Sequence, residues 1–369
     1  MMTGAAVAKP EAHPDSSTTR SSGDRVPVDK ARPLSARAGV ERGSLLLEVD
    51  DLSIEFDTDA GIVHAVNGVS YSISAGETLA LVGESGSGKT ATAQALLDLI
   101  PTPPGRISSG SLRLNGVDLL SLKRTERRRI AGARISMVFQ DPLAALNPVF
   151  TVGAQVAEAF AVHGRSSRSE RRELVTDLLA KVGIPSPRSR LGDYPHQFSG
   201  GMRQRILIAM AIALRPALLV ADEPTSALDV TVQAQILDLL AEIQDESTMA
   251  LLLITHDLGI VGTIADRVAV MYAGRIVEIG PAREVLATPA HPYTRALAAS
   301  QPRRAQRGRP LHVIRGAPPD PTAPAPGCPF APRCEFAQDR CSSERPLLGH
   351  FRDTRLAACH FASEVARHG

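Results

Sequence analysis

Three short, unbroken apolar runs punctuate this chain: Leu79-Ala80-Leu81-Val82, Leu218-Leu219-Val220-Ala221 and Leu251-Leu252-Leu253-Ile254. Each has the length and flanks of a buried strand. A fourth, Ile135-Ser136-Met137-Val138-Phe139, ends at Gln140. Other stretches mix apolar and polar positions. Residues 45–49 and 52–56 read as two strands, the second alternating as a half-exposed strand should, and 63–73 continues in that style after which 75–77 turns. Residues 107–122 add a short β-element. An antiparallel β-subdomain is therefore expected around the first buried strand. Helical spacing appears over 91–100 and from about 151 to 213. Leu174, Leu178, Leu179 and Val182 fall near one face, and Gly183 closes that helix. The run 124–129 is charged and reads as a solvated helix face. Residues 268–271 and 275–278 flank Ala273-Gly274 and predict a hairpin. Buried strands alternating with helices imply an α/β fold with a largely parallel sheet, whose ligand sits beyond the carboxyl ends of the strands.

The periodicity also sets boundaries. Residues 1–43 are rich in Ser, Ala, Pro, Arg and Asp without a period and read as a disordered tail. Order is expected over 44–285, with a helical subdomain at about 141–213. Residues 286–369 form a C-terminal extension, proline-dense over 318–329 and carrying all four cysteines. No internal duplication is visible, which predicts a single copy of this α/β domain.

Composition narrows the class. The chain has 369 residues, 43% hydrophobic, 4% aromatic and without Trp. A core of Leu, Ile, Val and Ala follows. Forty-one basic against 39 acidic side chains leave a formal charge of +2, which argues against binding nucleic acid through phosphate neutralisation. No run is long and apolar enough to span a bilayer. The N-terminus, interrupted by Glu11, Asp15 and Asp24, lacks the apolar region of a secretory signal. A cytosolic protein is expected, one that serves a membrane only by docking onto another chain.

The chemistry begins directly after the first buried strand. Gly83-Glu84-Ser85-Gly86-Ser87-Gly88-Lys89-Thr90 fits G-x-x-x-x-G-K-[ST] at every fixed position. A strand–loop–helix turn aims backbone N–H groups and a helix dipole at one spot. The glycines let the backbone wrap a phosphate. Lys89 is placed to reach the β- and γ-phosphates of ATP, and the Thr90 hydroxyl to ligate Mg²⁺. The strand at 218–221 ends in Asp222 and Glu223, two acids that make sense beside something positive. Asp222 would hold Mg²⁺ through water, and Glu223 would polarise an attacking water. Ser199-Gly200-Gly201 precedes an apolar helix at 206–214. Ser199 is a good N-cap, and the glycines expose N–H groups at a second anion site. Two anion sites for one triphosphate become sensible when two copies of the domain sandwich the nucleotide.

In order along the chain, GESGSGKT, Gln140, SGGMRQR at 199–205, LLVADEP at 218–224, Ser226-Ala227-Leu228-Asp229 and His256 resemble an ATP-binding cassette (ABC) transporter ATPase over about 45–285. That resemblance implies a P-loop NTPase fold: a RecA-like parallel core, an antiparallel β-subdomain and an α-helical subdomain. By the same resemblance, Ser199, Gly200 and Gly201 reach the γ-phosphate held by a partner's loop. Gln140 touches Mg²⁺ or water and senses the membrane partner, His256 contacts the γ-phosphate, and Asp229 signals across the dimer. Phe56 is a candidate to stack on adenine, and equally a core residue.

FQDPLAALNP at 139–148, FSGGMRQR at 198–205 and HPYTRAL at 291–297 are similar to the oligopeptide/dipeptide (and nickel) importers within that family. Cys328, Cys334, Cys341 and Cys359 are spaced C-x5-C-x6-C-x17-C. Four clustered cysteines in a cytosolic chain suggest a metal site before disulfides, and the spacing lacks the pairs of common zinc modules. Four thiolates suit a [4Fe–4S] cluster, which the resemblance also implies; zinc and no metal remain open. The resemblance further implies partners: a second, related ATPase subunit, two transmembrane permease subunits, an extracytoplasmic solute-binding protein reached through the permease, and a place at the cytoplasmic face of the membrane. The rival readings are a soluble ABC ATPase acting on DNA or ribosomes, an exporter, or an importer of nickel or another solute.

Overall fold

The protein is described here by a computed structural model, which covers Met1 and residues 41–164, 167–226, 228–301, 313–352 and 354–367. Residues 2–40 of the expected tail, and Ala227, lie outside the described residues. The described residues from 41 onward form one unit.

β1 (Leu45–Thr58) and β2 (Gly61–Ser74) form a long antiparallel hairpin. The sequence predicted two strands where β1 runs as one. The polar Asp50-Asp51 pair breaks the alternation without ending the strand. Asp51 takes a left-handed φ of 47°, its N–H donates to Ser70 Oγ at 2.9 Å, and the register shifts between Val49 and Leu52. β3 (Thr78–Val82) is buried at all five positions. α1 (Lys89–Leu96) starts and stops earlier than the expected 91–100. Asp98 at φ 59° and Pro101 stop it there. β4 (Gly105–Leu114) and β5 (Val117–Asp118) complete a four-stranded sheet in the order β2-β1-β4-β5. α2 (Arg124–Ile130) carries the charge run and buries none of its residues.

After β6 (Ile135–Val138) comes the helical layer: α3 (Pro142–Ala145), α4 (Val152–Val162), α5 (Arg168–Lys181), α6 (Pro187–Arg190) and α7 (Gly200–Ile212). On α5 the buried stripe is Val175, Leu179 and the capping Val182, with Leu178 at its edge. Leu174 is 41% exposed, so the face lies one residue round from the one its leucines suggest. Gly183, at φ 77°, closes α5 by donating to Ala180 O, while Ile184 N reaches back to Leu179 O.

Then follow β7 (Leu218–Asp222), α8 (Val230–Asp245), β8 (Ala250–Thr255), α9 (Leu258–Ile264), β9 (Arg267–Tyr272) and β10 (Arg275–Pro281). β9 and β10 pair as the expected hairpin, with Ala273 and Gly274 both at positive φ. Beyond lie α10 (Ala282–Ala287), α11 (Pro292–Ala299), α12 (Asp339–Ser343), β11 (Gly349–Arg352), β12 (Arg355–Ala357) and α13 (Ala362–Arg367). The second sheet runs β11-β12-β10-β9-β3-β8-β7-β6, parallel from β9 to β6 and antiparallel from β9 to β11.

Period-2 alternation assigns the strands' two faces. Leu79, Leu81, Leu218, Val220, Leu252 and Ile254 pack toward α1 and the antiparallel sheet. Leu219, Ala221, Leu251 and Leu253 pack toward the helical layer. A third cluster joins Ala80, Val82, Val268, Val270 and Tyr272 to Tyr293 and Phe330 of the C-terminal segment. Each buried Leu, Ile, Val or Phe side chain contributes about 1.5–3 kcal/mol. The parallel strands are thereby fixed from both faces, and their carboxyl ends are left to carry chemistry.

Candidate active site

The phosphate loop leaves β3 at Val82 and enters α1 at Lys89. Two of its glycines are required by close approach. A Cβ on Gly83 would stand 2.2 Å from Met271 O, and one on Gly88 would stand 2.3 Å from Ala65 O, with φ of 158° and 101°. Gly86, at φ 78°, faces open space. Ser85, Gly86 and Thr90 are exposed along the rim, while Ser87 and Lys89 are buried. Lys89 Nζ donates to Gly83 O at 2.8 Å and Glu84 O at 2.9 Å. Burial pushes its pKa down, against the pull of Glu223, Asp222 and Glu84. Ser87 Oγ is buried without a hydrogen-bond partner. An orphaned hydroxyl and a desolvated ammonium at an open glycine rim suit a bound phosphate, so the residues fit the nucleotide.

Three further strand ends converge beside this loop. Thr90 Oγ1, in the first turn of α1, donates to Asp222 Oδ1 at the end of β7, 3.3 Å away. Burial raises the Asp222 carboxyl, and the Thr90 bond lowers it. That hydroxyl–carboxylate pair is the donor set a Mg²⁺ ion takes in such loops. Glu223 follows at φ 46°, its N–H held by Ile254 O at 2.9 Å. Its carboxylate is gripped at both oxygens. Gln140 Nε2, just past β6, donates to Oε2 at 3.1 Å, and His256 Nδ1, just past β8, stands 3.3 Å from Oε1. Gln140, Glu223 and His256 thus meet, as their positions after strands implied.

Other expected residues sit elsewhere. Ser199 caps α7, its Oγ accepting from Met202 N at 3.3 Å, and Ser199 and Gly200 are exposed. Asp229 caps α8, accepting from Thr231 N and Val232 N. The two caps adjoin: a Cβ on Gly201 would meet Val232 Cγ1 at 2.6 Å. Neither cap bonds to the phosphate loop among the described residues. Phe56 is half-buried on β1, its ring edge against Gly105 beside Ile100. It does not line the cavity of about 200 Å³ that Glu84, Ser85, Gly86 and Ser87 share with His64, Arg275 and the proline segment at 318–324.

The four cysteines converge. Cys328, Cys334, Cys341 and Cys359 line one cavity of about 10 Å³ with Phe330 and Phe336. All are free thiols. Burial pushes Cys334 up to about 11, Cys359 up to about 12, and Cys328 up as well. Among the described residues, no group of three or more His, Cys, Asp or Glu side chains is in place to hold a metal ion.

Sequence reasoning missed two residues that touch the phosphate loop, Tyr293 and Arg333. Tyr293 lies in the HPYTRAL motif, which carries a family resemblance but no physical signal of a role at the loop. Arg333 pairs with a residue 249 positions away and has no local signal.

Two family descriptions match the chain: ABC transporter over residues 66–226, and oligopeptide/dipeptide transporter, C-terminal region, over 277–341. The dipeptide transport ATP-binding protein DppD of Escherichia coli K12 is 49% identical over 321 residues, 87% of this chain and 98% of its own. The oligopeptide transport ATP-binding protein OppD of Bacillus subtilis 168 is 48% identical over 314 residues, 85% of this chain and 88% of its own. Among solved structures, the dimeric ATP-binding cassette MJ0796 in a post-hydrolysis state with ADP and Pi aligns with a TM-score of 0.58 and 25% identity, covering 64% of this chain and 99% of that one. CbiO1 of Clostridium perfringens, part of the ABC transporter complex cbiONQ, aligns with a TM-score of 0.56 and 30% identity, covering 67% and 92%.

Proposed function

The chain belongs to the ABC transporter ATP-binding proteins of the dipeptide and oligopeptide branch, and from that premise we propose that it hydrolyses ATP to drive peptide uptake through a membrane permease. The observation that carries the reading is the convergence of Lys89, Thr90, Asp222, Glu223, Gln140 and His256 at the carboxyl ends of β3, β6, β7 and β8.

Lys89 and the loop N–H groups bind the phosphates. Thr90 and Asp222 would hold Mg²⁺, which when bound supplies charge neutralisation for the departing phosphate. Glu223 accepts a proton from the attacking water at its carboxylate. Gln140 and His256 fix that carboxylate's orientation before the substrate arrives. Ser199, Gly200 and Gly201 present free N–H groups at the α7 N-terminus, away from this chain's own loop. They would complete the site of a second cassette, as the dimeric state of MJ0796 supports. Asp229, at the adjoining cap, would tie the two sites together, and Phe56 remains the candidate for the adenine face. The partner is a related ATPase subunit, and two permease subunits with an extracytoplasmic receptor supply selectivity. Among the described residues no helix is long and apolar enough to cross a membrane. Leu143, Val149 and Phe150, all exposed shortly after Gln140, offer the permease an apolar foothold at the cytoplasmic face.

Cys328, Cys334, Cys341 and Cys359 are the residues that would hold a [4Fe–4S] cluster. They line one small cavity but are not in place for a metal ion, so holding it would require them to move closer together and to lose the protons that burial favours on Cys334 and Cys359. Reconstitution tests both readings. The assembled transporter, prepared without air and placed in vesicles, takes up peptide when MgATP is on this chain's side, and it carries iron. Failure to transport any peptide contradicts the first reading, and iron-free protein contradicts the second.

A further inference from the structure

Glu84 is the one acidic side chain in the loop Gly83–Thr90, and it is held from far along the chain. Its carboxylate takes a forked pair from Arg333, Nη1 to Oε2 at 2.8 Å and Nη2 to Oε1 at 3.0 Å. Its N–H donates to Tyr293 Oη at 2.8 Å. Arg333 is itself fixed. Its side chain is 4% exposed, donates to Tyr272 Oη at 3.2 Å and Arg315 O at 3.0 Å, and stacks over the rings of Tyr272 and Phe330. It sits in the turn Ala331–Arg333, directly before Cys334.

A carboxylate inside an anion-binding loop opposes the phosphate it is meant to admit. Arg333 cancels that charge, and its planar fork sets the side chain's direction. Lys89 Nζ also rests on Glu84 O, so moving Glu84 moves the partner of the phosphate-facing ammonium. We propose that Arg333 is a positioning residue for nucleotide binding, through which the cysteine-bearing segment sets how tightly the phosphate loop grips ATP. The function assigned to that segment thereby extends to the chemistry of the loop, with Glu84 as the point of contact.

The inference rests on Gly83–Thr90 being the nucleotide site. That reading fails by itself if Lys89→Ala binds nucleotide as the unaltered chain does. The test of Arg333 is equilibrium binding of a non-hydrolysable MgATP analogue to the full chain. Arg333→Met weakens binding by about tenfold or more, the worth of a charge-assisted forked pair. Adding Glu84→Gln to Arg333→Met recovers most of that loss, because no uncompensated charge remains. A merely structural arginine would not be rescued this way. Arg333→Lys, which keeps the charge and loses the fork, falls between, and it carries the test should Arg333→Met fail to fold. Unchanged binding in both Arg333 variants overturns the proposal, as does a double variant no tighter than the single one.

Discussion

Glu223 occupies a backbone conformation that few non-glycine residues tolerate, with φ at 46°. The neighbours over-determine it. Ile254 O holds its N–H, and Gln140 and His256 hold its two carboxylate oxygens. Strain retained at such a point marks a side chain whose direction matters. Glu223→Gln keeps the shape and removes the proton acceptor. The variant is expected to bind MgATP with little change and to lose about 10²–10⁴-fold in turnover, leaving the pair of cassettes closed on ATP. Single-turnover hydrolysis beside equilibrium nucleotide binding measures both, and normal turnover refutes the role. At this scale the sequence was informative wherever a residue's position after a strand fixed its surroundings, as for Asp222, Glu223 and His256. It was silent on Arg333 and Tyr293, whose partner is Glu84, because contacts between distant segments leave no mark on local spacing. Phe56 shows the same limit: an aromatic on an alternating strand reads identically whether it faces a ligand or Gly105.

Elements were legible where an apolar run met a clear stop. β3, β7, β8 and the β9–β10 hairpin fall where the pattern put them, because short buried runs bounded by glycine or acid have few alternatives. Alternation alone divides β1 at Asp50-Asp51, because a bulge that keeps the strand going is decided by its partner strand, here through Ser70. α5 turned its face by one residue because burial follows the helices packed against it, which leucine spacing alone does not specify. The C-terminal strands were harder still. β12 has only three residues and joins β10 through a buried pair, Arg355 Nη2 to Glu278 Oε1 at 2.5 Å, with Arg355 also bonding Thr288 O at 2.7 Å. The two side chains are 1% and 0% exposed. Arg355→Leu leaves the buried Glu278 carboxylate without its counter-charge, held by the N–H groups of Ala290 and His291, and is expected to cost about 3–5 kcal/mol, while Arg355→Leu with Glu278→Leu recovers part of it, since those two N–H groups then lose their acceptor. Denaturant midpoints of the three proteins check this, and an unshifted midpoint in the single variant contradicts it.

At the scale of the whole molecule, the proposed function gives the chain half of each of two sites. Its phosphate loop is exposed at Ser85, Gly86 and Thr90, and the α7 cap at Ser199 and Gly200, the proposed second anion site, is exposed and makes no bond to that loop among the described residues. Near-balanced charge, at +2 over 369 residues, gives no long-range pull toward nucleic acid, so the expected partners are proteins. On that reading a lone cassette is expected to bind MgATP and to lack the donors that complete the transition state. The most direct measurement is ATP turnover per chain, followed from dilute monomer to saturation with the partner cassette. Turnover near background in the monomer, climbing as pairs form, is the predicted result. Full-rate hydrolysis by the dilute monomer contradicts the account.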